Sequence, residues 1–86
     1  MIDTWAYLLI TTRYGTKKKV ISKLTGLDVI HSAHELYGQY DIITHLRLPS
    51  LKELEDFIQA NIRVIPEIES TQTLIVSDIP CLNTDS

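Results

Sequence analysis

Residues 29–48 read VIHSAHELYGQYDIITHLRL, and their reading decides the fold. Val29 to Tyr37 and Asp41 to Leu48 are rich in β-branched, aromatic and aliphatic residues, the composition of strands. Only Gly38-Gln39-Tyr40 lies between them, too short for any crossover, so the two strands form an antiparallel hairpin. Its register is open. If Tyr37 pairs with Tyr40, His34 shares a face with Ile43 and His45; if Leu36 pairs with Ile42, His31 and His45 share a face instead.

Upstream, Thr4 to Thr12 (TWAYLLITT) is a further strand. Arg13-Tyr14-Gly15 ends it, and Thr16 stands at an N-cap position, its hydroxyl placed to accept from the next turn. Val20, Ile21 and Leu24 then recur on one face of a helix over 17–25, with Gly26 suited to a left-handed C-terminal residue. Lys17, Lys18 and Lys19 crowd its first turn, where they oppose the helix dipole, and read as a solvated turn.

Downstream, Leu48-Pro49-Ser50 closes the hairpin, and Ser50 with Glu53 forms a capping box. Leu51, Leu54, Phe57, Ile58 and Ile62 follow at spacings of three and four, giving an amphipathic helix that Pro66 stops. Ile68 to Ser77 is a fourth strand. The predicted order is βαββαβ, an α+β ferredoxin-like split βαβ: a four-stranded antiparallel sheet with two helices on one face. The domain is expected over residues 1–77, with 78–86 a polar C-terminal tail holding Cys81.

That architecture leaves one sheet face bare. Of Tyr7, Leu8, Leu9 and Ile10, two must point away from the helices, and a homodimer formed through the sheets covers both exposed faces at once. Self-association also suits the size, because a chain of 86 residues buries only roughly 60–65% of its unfolded surface.

Composition narrows the function. The formal net charge of −3 argues against direct binding of nucleic acid, which needs clustered Lys and Arg to displace counterions. No apolar stretch approaches the ~20 residues of a membrane span, and Met1-Ile2-Asp3 does not begin a signal peptide, so a cytoplasmic location and no membrane partner are expected. Cys81 is the single cysteine, so no internal disulfide can form. There is no phosphate loop, dinucleotide fingerprint or nucleophile elbow; neither a cofactor nor catalysis is expected.

Two clusters carry chemistry. In Tyr37-Gly38-Gln39-Tyr40-Asp41, the Asp41 carboxylate can accept from an ammonium group, while N–H groups at a glycine-containing turn can hold a carboxylate, the complement of an amino acid. The three histidines, His31, His34 and His45, suggest a divalent-metal-binding oligomer as the alternative. His31 and His34 are three apart on a strand and so point to opposite faces; at most two histidines converge in one subunit, and the site needs a second. A small dimeric α+β-barrel enzyme is the remaining alternative.

Over residues 5 to 76 the sequence resembles the effector-binding (RAM) domain of the leucine- and asparagine-responsive transcription regulators, the Lrp/AsnC family. The resemblance rests on Ala6 to Thr11, on Gly38-Gln39-Tyr40-Asp41, on Leu51 to Ile62, and on Ile65-Pro66 followed by Ile68 to Val76. It implies the split-βαβ fold, dimers formed through the sheets, octameric rings of dimers, and an effector amino acid held between dimers. Ligand contacts then fall on Gly38, Gln39, Tyr40 and Asp41, with Thr71 and Thr73 on the fourth strand. Family hairpins often read Thr-Gly-(Asp/Glu)-Tyr-Asp, whereas Tyr37 and Gln39 make a bulkier, less anionic rim here. Met1 stands just before the first strand, so a stand-alone version without the DNA-binding winged helix is expected, one that acts with full-length Lrp/AsnC regulators as partners.

Overall fold

The computed structural model describes residues 4–76; the expected tail at 78–86, with Cys81, lies outside the described residues. The chain forms β1 (Thr4–Thr12), α1 (Lys17–Thr25), β2 (Ile30–Glu35), β3 (Ile42–Leu48), α2 (Leu51–Phe57), a π-helical turn (Ile58–Ile62) and β4 (Ile68–Ile75). The strands make one antiparallel sheet in the order β2-β3-β1-β4, so β1 and β3 are central and β2 and β4 are edges. This is the ferredoxin-like arrangement expected from the element order.

Alternation along β1 sorts its side chains. Ala6, Leu8 and Ile10 are fully buried on one face with Ile42 and Leu46 of β3, where they meet Val20 and Leu24 of α1 and Leu54, Ile58 and Ile62 of the second helical segment. Both helices therefore cover the same face. Trp5, Tyr7 and Leu9 occupy the alternate positions and point to the open face, where Tyr7 keeps 38% of its surface exposed. Leu74 and Val76 add exposed apolar surface.

The helix ends depart from the sequence reading in three places. Thr16 makes no cap bond; its hydroxyl donates to the Arg13 carbonyl oxygen at 2.7 Å, turning inward on the preceding turn. Gly26 is right-handed, at φ −81°, because its N–H bonds back to the helix carbonyls and continues the helical turn. Ser50 forms half of a capping box: its Oγ accepts from the Glu53 N–H at 3.2 Å, while the Glu53 carboxylate meets the Ser50 hydroxyl rather than its backbone.

The amphipathic helix also changes pitch. After Phe57 the Arg63 N–H reaches the Ile58 carbonyl at 3.0 Å, a wider turn than α. Ile58 and Ile62 stay in the core by this adjustment, but Leu51 at the helix start is 51% exposed and borders a surface cleft.

Three of the four lysines of α1 are engaged. Lys17 donates to the Leu36 carbonyl at 2.9 Å and lies over the Tyr37 ring, while Lys19 and Lys23 both reach the Glu67 carboxylate at 3.1 Å. These contacts offset the unfavourable placement of cations near a helix N-terminus. They draw α1 onto the hairpin at one end and onto the loop before β4 at the other.

Candidate functional site

The hairpin keeps the first of the two registers. His34 pairs with Ile43 and Glu35 with Ile42; the ladder closes where the Leu36 N–H donates to the Asp41 carbonyl at 2.8 Å, leaving residues 37–40 as the turn. Gly38 sits at φ +155°, a backbone conformation that L side chains rarely adopt, and an added Cβ would meet nothing within 4 Å. The turn backbone is thus open to an approaching group.

Asp41 is fixed from two sides. Its N–H donates to the Ile10 carbonyl at 2.8 Å, and its Oδ2 accepts from the Thr12 N–H at 2.8 Å and, more weakly, the Thr12 hydroxyl at 3.4 Å. The carboxylate faces a cleft of about 510 Å³ that also involves Arg13, Gly15, Lys17, Lys18 and Glu35. Cationic and anionic groups thus border one concavity beside the hairpin.

The six expected ligand contacts fall into two groups. Tyr40 reaches over the open face of β1 and donates its hydroxyl proton to Gln72 Oε1, beside a Thr11–Ser70 hydroxyl pair at 2.6 Å. Thr71 and Thr73 pair with Ile10 and Leu8, so they face the helix side. Thr73 borders a cleft of about 640 Å³ between α2 and β4, with Arg63, Glu55 and Leu51. The fourth-strand residue that meets the hairpin within one chain is Gln72, which sequence reading passed over. Its signal was parity: Gln72 is opposite Leu9, and Leu9 is outward.

The histidines correct a second expectation. A bulge places both His31 and Ser32 in the span between Ile30↔Leu46 and Ser32↔His45, which breaks the alternation. His31 and His34 therefore lie on the same open face as His45. The rings of His31 and His45 are 5.4 Å apart and edge-on, His45 stacks on Tyr7 at 4.5 Å and tilts against Trp5 at 4.6 Å, and Arg47 lies over Trp5. Burial, then the neighbouring His31, push the His45 pKa below its ordinary value. Among the described residues, no group of three or more His, Cys, Asp or Glu is placed to hold a metal ion. No helix among them is long and apolar enough to cross a membrane.

Fold and site together define a small α+β domain built around an open sheet face and a charged hairpin cleft. The Lrp/AsnC ligand binding domain model matches residues 5–85, and the chain belongs to that family. It is 34% identical over 71 residues to the HTH-type transcriptional regulator FL11 of Pyrococcus abyssi, covering 83% of this chain and 46% of that protein. It is 35% identical over 65 residues to the regulatory protein AsnC of Haemophilus influenzae, covering 76% of this chain and 43% of that one. The chain thus spans about half the length of these relatives, both of which are named as regulators. The crystal structure of FFRP-DM1 superposes with a TM-score of 0.83 at 35% identity, over 86% of this chain and 99% of that one.

Proposed function

We propose that the domain binds an amino acid or a related small molecule at the hairpin cleft and converts its occupancy into a change of assembly, contributing to transcription regulation in the cytoplasm. The observation that carries the reading is the cleft itself. Asp41 and Glu35 offer acceptors for an ammonium group, Arg13 and Lys18 offer donors for a carboxylate, and Gly38 leaves the turn backbone accessible. Gln39 and Tyr40 form the rim. Thr71 and Thr73, on the other face, enter such a site from a neighbouring copy across a contact between dimers.

Assembly begins at the open sheet face, where Tyr7, Leu74 and Val76 are each about two-fifths exposed. Two copies of one self-complementary face close both. Rings of such dimers, and mixed assemblies with longer Lrp/AsnC regulators, place the effector between dimers. Ligand acts by differing affinity for the two assembly states. The domain works through these partners and not by reading DNA itself, a view supported by its net charge of −3 and by the intramolecular engagement of Lys17, Lys19 and Lys23.

A thermal-shift screen against the twenty amino acids and common divalent metals tests this, since a ligand that binds only the folded state raises apparent stability by RT ln(1 + [L]/Kd). A shift with one or a few amino acids, lost in Arg13→Ala, is expected. A shift with metals alone would reverse the assignment in favour of the histidines.

A further inference from the structure

We propose that the open sheet face is a proton-sensitive self-association surface, on which His31, His34 and His45 hold two copies together while neutral and separate them when protonated. The inference rests on the reading of that face as the contact between copies and adds its regulation.

The composition of the face carries the argument. At neutral pH it presents Trp5, Tyr7, Leu9, Ile43 and Leu74, with Arg47 as the fixed charge of its ladder positions. Among the described residues, the neighbours of His45 come from all four strands. From β1 come Trp5 and the Tyr7 phenol; from β2, His31 edge-on and His34 farther along; from β3, Arg47 through Trp5; from β4, Leu74 opposite Tyr7 and then Gln72, already bonded to Tyr40. None of these is a carboxylate. Glu35 has the opposite parity and borders the hairpin cleft, and Glu69 lies beyond Ser70 at the other end of β4.

Protonation therefore adds charge that none of these described neighbours compensates. Three imidazoles per copy become six across a face-to-face pair, in a surface that assembly removes from water, where isolated charges are costly. The cluster already disfavours charge on His45 before any partner arrives. A second copy desolvates it further, so assembly releases protons, and the dissociation constant rises as pH falls through the pKa of His45 in the separate copy, which lies below the ordinary 6.5. Each imidazole that must stay neutral in the pair weakens assembly about tenfold for every pH unit below its pKa in the separate copy.

Sedimentation equilibrium of the full chain between about pH 8 and about pH 5 at constant ionic strength reads the effect, with far-UV circular dichroism recorded on the same samples. The wild type is expected to dissociate at least about tenfold more readily at about pH 5.5 than at about pH 7.5, with unchanged dichroism. The triple variant His31→Gln/His34→Gln/His45→Phe keeps a flat ring against Trp5 and Tyr7 but takes up no proton on the face; its shift is expected to stay below about threefold. A wild-type pair that ignores pH, a triple variant with the wild-type slope, or dichroism lost along the same curve would each overturn the switch. A chain monomeric at about pH 7.5 at every concentration would sink the assembly reading itself, an outcome distinct from a pair that forms but ignores pH.

Discussion

Tyr40, at the tip of the β2–β3 hairpin, donates its hydroxyl proton to Oε1 of Gln72 on β4, bridging the width of β1. The hairpin is thereby tied to the far edge of the sheet by side chains alone. A change at the proposed effector cleft would reach the edge strand along this link.

Tyr40→Phe removes only that hydroxyl. Both partners are exposed, so the folded state is expected to lose about 0.5–1 kcal/mol by urea denaturation with an unchanged slope. The sharper expectation concerns coupling. If the link transmits occupancy, Tyr40→Phe reduces the ligand-dependent change in assembly measured by light scattering by more than it weakens effector binding measured by calorimetry; an unchanged ligand response would show that the signal travels elsewhere.

Asp41 is expected to be structural as well as ligand-facing, because its Oδ2 accepts the part-buried Thr12 N–H at 2.8 Å. Asp41→Ala orphans that donor and is expected to cost about 1.5–3 kcal/mol, whereas Asp41→Asn retains an acceptor and costs less. Calorimetry on Asp41→Asn therefore separates the two roles: effector affinity lost in a variant of near-native stability assigns the charge to the ligand, and retained affinity confines Asp41 to holding the hairpin on β1.

What was readable in the sequence follows from which forces are local. Helix and strand periods are local, so Val20 and Leu24, Leu54 and Ile58, and the alternation of Leu8 and Ile10 were legible. Facts set by pairing were not. Whether Gln72 or Thr71 meets the hairpin depends on the register of β4 against β1, which residues near in sequence do not encode. The bulge that turns His31 onto the face of His45 arises from β2 meeting β3, and strict alternation pointed His31 the wrong way. The crowded lysines of α1 had no local rationale because their partners, Leu36 and Glu67, lie far along the chain.

Glu67 predicts an acid signature. Its carboxylate, 13% exposed, receives Lys23 and Lys19 at 3.1 Å each, and those bonds hold its pKa down at about 2 from an ordinary 4.5. A depressed folded-state pKa stabilises the fold above the ordinary value, and that contribution fades as pH drops from 4.5 toward about 2. Glu67→Gln is expected to lower the Tm by a few degrees near neutrality, with the gap to wild type closing as pH falls through that window. A gap that is constant across the whole range would mean that Glu67 contributes through packing or its loop backbone and not through charge.

Thr44 offers a stabilising change. Its side chain is fully buried on β3 between Leu8 of β1 and Ala33 of β2, and its Oγ1 lacks a hydrogen-bond partner among the described residues. A hydroxyl taken from water without a partner costs about 1–3 kcal/mol. Valine has the same branched shape, keeps the β-strand preference of threonine and replaces the hydroxyl with a methyl group that the surrounding apolar side chains can pack against. Thr44→Val is therefore expected to raise the unfolding free energy by about 1 kcal/mol and the Tm by several degrees, read by urea and thermal denaturation at fixed protein concentration. Thr44→Ser tests the same account from the other side: it keeps the unpaired hydroxyl and deletes the methyl group, so it should destabilise. If valine instead weakens the fold, the hydroxyl has a partner in solution, most simply a buried water, and the core beneath the sheet is more polar than its lining implies.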